Sequence, residues 1–143
     1  MEVDELNWGP IAIVFNFQAM NTPYERVVIL AAIPSGREEG TITLRRWVGG
    51  LPPAEEIQDR VAEAVTGVTS LDNLLIIGEH FAIWPDEVII VDVEPGEEEA
   101  GETFTPAVEM VIPDVLSLIR RVALEEFEIF LPMEEIRGDQ LPT

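Results

Sequence analysis

The stretch from Trp84 to Leu124 limits what this chain can become more than any other. Val88–Val91 is an unbroken β-branched run, too apolar to keep one face wet. Such a run suits a strand buried on both sides, as in a parallel sheet under helices. An acidic loop follows, carrying Glu94, Pro95, Gly96, Glu97, Glu98, Glu99, Gly101 and Glu102. Thr105-Pro106 then reads as a helix start: a hydroxyl able to cap, and a proline whose missing N–H costs nothing at the first position. Val108, Val111, Ile112, Val115, Leu116, Leu118, Ile119 and Val122 give that helix a broad apolar face.

Ahead of this stretch, Ile11–Phe17 is short, β-branched and aromatic, which favours a strand. A helix from Pro10 to Asn21 competes, because Pro10 can open one. Arg26–Ile33 reads as a second buried strand. Thr41–Trp47 alternates, with Ile42 and Leu44 on one face and Thr41, Thr43 and Arg45 on the other, and so reads as a half-exposed edge strand. The seven-residue PSGREEG between these two strands resembles a hairpin connection. Pro53 opens a helix with Glu55 and Glu56 in its first turn and Ile57, Val61 and Val65 on one stripe, and Gly67 is a stop. Ser70 caps a second, nearly all-apolar helix from Leu71 to about Ile83. Phe127, Ile129, Phe130 and Leu131 form an apolar cluster after the last helix, suited to fold back or to bind a partner. Residues 132–143 read as a frayed polar tail. This order describes an α/β domain with a mixed sheet, one domain over residues 1–143.

Charge and residue usage narrow the function classes. With 28 acidic against 8 basic residues the net charge is −20, which argues against nucleic acid and anionic membrane as partners. The absence of cysteine removes disulfides, thiol nucleophiles and thiolate metal sites together. MEVDELNW is no signal peptide, and no apolar run approaches the roughly 20 residues of a membrane span. A soluble cytoplasmic protein is the expectation.

Catalytic equipment is sparse. His80 is the one histidine, and nothing resembling a nucleophile elbow accompanies it. No Walker loop occurs, and no G-x-G-x-x-G follows a strand, so no cofactor is expected. Asp92 and Glu94 share a face at the exit of the central strand, the end where open α/β sheets bind ligands. With His80 they are the candidate metal ligands, against the plainer reading of a solvated acidic loop and a locally bonded histidine.

The order of pieces carries a resemblance. YERVVILAAIPSGREEGTITLRRW, SLDNLLIIGEHFAIWPDEVIIVDVEP and TPAVEMVIPDVLSLI together resemble the nickel–iron hydrogenase maturation endopeptidases from about Tyr24 to Leu124. The resemblance implies a three-layer α/β/α sandwich around a mixed, mostly parallel twisted sheet. It implies, too, an activity: removal of a C-terminal peptide from the hydrogenase large subunit, guided by nickel held on two acids and a histidine. The departures are specific. The family's glycine-rich first strand, following helix and first acid find no counterpart from Met1 on. Its strand-end aspartate falls at Ala31. Its helix histidine falls near Gly67, with His80 more than three turns of ~3.6 residues further on. No catalytic residue carries over. The slot left by the missing strand, beside Val27–Ile33, is open to Ile11–Phe17 or to a partner.

Three functions follow as expectations. The first is a non-catalytic relative that binds a hydrogenase large subunit as an assembly factor or accessory subunit. The second is a metal-dependent endopeptidase with relocated ligands, His80 with Asp92 or Glu94. The third is an acidic protein-interaction module unrelated to hydrogenases.

Overall fold

A computed structural model describes residues 13–14, 17–19, 24–65, 70–95, 105–124 and 133–140. From Arg26 on, the elements follow in the order β1 (Arg26–Ala31), β2 (Ile42–Trp47), α1 (Ala54–Val65), α2 (Leu71–His80), β3 (Glu87–Val93), α3 (Pro106–Leu124) and β4 (Glu134–Ile136). The strands form one sheet in the order β1-β3-β2-β4. β2 runs antiparallel to β3, with Ile42 opposite Val93 and Leu44 opposite Val91. Beside β1 the direction is parallel: Arg26 pairs with Glu87 near one end, and the Ile33 N–H reaches Asp92 at the other. β4 is parallel to β2, since Val48 N–H donates to Ile136 O and Gly138 N–H to Gly49 O. The sheet is therefore mixed and mostly parallel, in an α/β fold.

Two compact units divide the chain. The first comprises 1–27, 47–88 and 135–143; the second, 28–46 and 89–134. In the second, the cluster Leu44, Ile89, Val91, Val93, Val115 and Val122 joins β2, β3 and α3. Every residue of β3 from Val88 to Val93 is buried, as its β-branched run requires. Thr105 opens α3 as expected, with its carbonyl accepting the Glu109 N–H at 2.9 Å.

In the first unit, Ser70 caps α2 by accepting the Asn73 N–H at 3.2 Å. α2 ends at His80, three residues earlier than the apolar run suggests. Ala82 takes φ 55°, its N–H donates to Glu79 O, and Ile83 N–H donates to Gly78 O. This is a Schellman stop built on alanine rather than glycine. Ala82→Gly relieves a left-handed alanine, and the expected gain is about 1 kcal/mol in urea unfolding.

Several expectations need correction. Ile13 and Val14, inside the run read as a strand, are helical and buried, Val14 packing with Ile77, Val61 and Ile83. A short apolar run buried all round carries no period to separate helix from strand. Ile13 and Val14 therefore do not fill the slot beside β1 as strand residues. β2 is interior, not an edge, and β3 lies between β1 and β2, so the PSGREEG link is no hairpin. The polar face of β2 fits the alternation and is half-buried, with Thr43 and Arg45 bonded to partners within the protein. Val65 is 73% exposed and leaves the α1 stripe, and Phe81, beyond the end of α2, is exposed. Where a frayed tail is expected, Glu134–Ile136 forms β4 with Ile136 buried. Among the described residues no helix is long and apolar enough to cross a membrane.

Candidate functional site

Register explains the densest polar group of the second unit. Thr43 stands opposite Asp92, and Arg45 opposite Ile90. Side chains alternate along a strand, so Thr43, Arg45, Asp92 and Glu94 share the face turned away from Leu44, Ile89, Val91 and Val93. Asp92 and Glu94 are 3% and 7% exposed, so their charges must be met inside the protein.

They are met. Asp92 Oδ2 lies 3.2 Å from Arg45 Nη2, a diagonal cross-strand pair. Its Oδ1 accepts the Ile33 N–H at 3.1 Å. Glu94 accepts main-chain N–H groups from the loop after β1: Ser35 at 2.9 and 3.1 Å, and Gly36 at 3.2 Å. Gly36 has φ +76°, which turns its amide beside that of Ser35 into a small anion-binding concavity, here filled by the chain's own carboxylate. Arg37 bonds Thr43 and, at 2.6 Å, Glu134 of β4. Arg45 Nε is buried without a hydrogen-bond partner, with Glu134 Oε2 at 3.9 Å supplying attraction only.

Glu94→Gln replaces one acceptor oxygen with a donor facing amide donors. The bonds to a charged acceptor are worth about 2 kcal/mol, so amide exchange at Ser35 and Gly36 should quicken roughly thirtyfold. Hydrogen-exchange mass spectrometry or NMR checks this.

Of the residues singled out in the sequence, the structure brings Asp92 and Glu94 together on one face. His80 ends α2 in the first unit, exposed, with its ring edge-on to Phe81 at 5.0 Å between centroids. Among the described residues, no group of three or more His, Asp or Glu is placed to hold a metal ion. Phe127, Ile129, Phe130 and Leu131 lie outside the described residues. Sequence reasoning missed Ser35, Arg37, Arg45 and Glu134. The alternation of Thr43 and Arg45 was the available signal, and it pointed to solvent as readily as to a buried ion pair.

Comparison with solved structures adds the following. The hydrogenase maturating endopeptidase HybD from E. coli superposes with a TM-score of 0.53 at 19% identity, over 78% of this chain and 64% of that one. The hydrogenase 2 maturation peptidase from Thaumarchaeota archaeon SCGC_AB-539-E09 has a TM-score of 0.45 at 17% identity, over 80% of this chain and 87% of that one. An endopeptidase from Escherichia coli, solved in solution, has a TM-score of 0.45 at 20% identity, over 82% and 68% of the two chains. No family model and no curated protein matches the sequence. This chain spans just under two thirds of the length of HybD. The order of strands and helices around β3, and the superposition it allows, establish that the chain has the α/β fold of the E. coli hydrogenase maturating endopeptidase.

Proposed function

We propose that this protein is a non-catalytic, hydrogenase-maturation-protease-like binder. In this reading it holds a nickel–iron hydrogenase subunit in the cytoplasm as an assembly factor or accessory subunit. One observation carries the proposal. The two carboxylates at the exit of β3, where an α/β sheet presents ligand-binding groups, are occupied by Arg45 and by the amides of Ile33, Ser35 and Gly36. Side chains engaged in this way hold a loop in shape, and a metal ion would have to compete with those bonds. The fold shared with HybD supplies the link to hydrogenases. The acidic surface favours a basic face on the partner.

The test has two arms. Affinity-tagged protein expressed in its native host is expected to copurify with a hydrogenase polypeptide, identified by mass spectrometry. The pure protein, incubated with nickel-loaded hydrogenase large-subunit precursor, is expected to leave it intact. Cleavage of that precursor refutes the proposal.

A further inference from the structure

β1 has a neighbour on one side only among the described residues, and between Arg26 and Pro34 its other side carries little of the usual protection. From Val27 to Ile33 there is no charge and no proline. Such edges are normally blunted by charged residues, prolines or bulges, because unpaired main-chain groups recruit another strand. The exposed face adds to this. Val28 packs against the cluster beneath α3, while Leu30, two residues on and therefore on the same face, is 56% exposed. Among the described residues the strand thus presents an unpaired edge beside a half-exposed apolar side chain.

Charge selects the occupant. A second copy brings another −20 to the contact, and like charge opposes the pairing. The loop after β1 continues with exposed Glu38 and Glu39, which attract the opposite sign. We infer that the open edge of β1, along Val28–Ala32, accepts an extended, positively charged segment of a partner protein as an added strand, with an apolar side chain of that segment covering Leu30. Main-chain hydrogen bonds supply the affinity, and alternate side chains supply the selection. The inference rests on the reading of the protein as a binder and names the chemistry of what it binds.

The probe is a short dye-labelled peptide alternating valine and arginine, followed by fluorescence anisotropy on the full chain. A second peptide of the same sequence is N-methylated at every other residue, which keeps charge and side chains but removes the bonds of one strand edge. The expected result is binding of the first peptide, weakened about tenfold or more by methylation and by Leu30→Lys, together with slower amide exchange at Val28–Ala32. Equal binding of both peptides would mean that the acidic surface collects any cation, and would overturn the inference. Absence of binding, or sedimentation showing a dimer that Leu30→Lys dissolves, overturns it too. Copurification with a hydrogenase polypeptide but no peptide binding leaves the proposed function standing and rejects this edge. Peptide binding without copurification does the reverse.

Discussion

Asp92→Ala should lower the unfolding free energy by about 3 kcal/mol, because it strips a largely buried arginine of its nearest counter-charge. Arg45 is 19% exposed at its side chain and lies against Asp92 at 3.2 Å; what remains after the change is Glu134 at 3.9 Å and a long bond to Ser35 Oγ at 3.4 Å. The Ile33 N–H loses its acceptor at the same time. For a domain whose total stability is of order 5–15 kcal/mol, that is a large fraction. Urea denaturation followed by circular dichroism gives the number. The companion change sharpens the interpretation: Arg45→Met in the Asp92→Ala background removes the stranded charge and should recover part of the loss. Equal stability in the single and double variants would show that the penalty lies in the loop after β1 rather than in the ion pair.

Gly138→Ala is expected to be comparably severe, for a steric reason. A Cβ at Gly138 would stand 1.9 Å from the Gly50 carbonyl oxygen and 2.8 Å from Trp47 Cη2. The carbonyl is main chain and the indole is held by its own bond from Nε1 to Glu79 Oε2 at 3.0 Å, so neither can move aside cheaply. Overpacking without relief costs about 3 kcal/mol. The visible consequence should be detachment of β4 together with the segment after it, read as loss of exchange protection at the Val48 N–H, which bonds Ile136 O. Gly36→Ala is the control. That position has φ +76° but nothing within 4 Å of the added carbon, so it carries the left-handed penalty alone, about 1 kcal/mol.

These two sites show how far the sequence could be read. β3 was legible because four β-branched residues in a row have one good home, and α2 and α3 because Ser70 and Thr105-Pro106 mark their starts by local chemistry. Strand order was not legible. β1 and β2 are joined by a link of hairpin length, yet β3, some forty residues on, takes the place between them. Insertion of a distant strand leaves no mark on the connection it separates. β4 was missed because a three-residue strand with two exposed glutamates carries no apolar pattern. At the candidate site, Asp92 and Glu94 were identified as acids on one face at the strand exit. Their partners Ile33, Ser35 and Gly36 lie 58 and 59 residues away in the chain. Burial of an acid is decided by such distant groups, and composition near the acid is silent about them.

Glu94 grips the amide of Ser35, not its hydroxyl. For the clamp itself any residue that keeps an N–H suffices and proline alone is barred, while the Ser35 hydroxyl has bonds of its own, donating to Ile33 O at 3.2 Å and accepting from Arg45 Nη2 at 3.4 Å. A lineage carrying this arrangement can exchange the serine and keep the carboxylate's hold on the backbone, giving up only those two hydroxyl bonds.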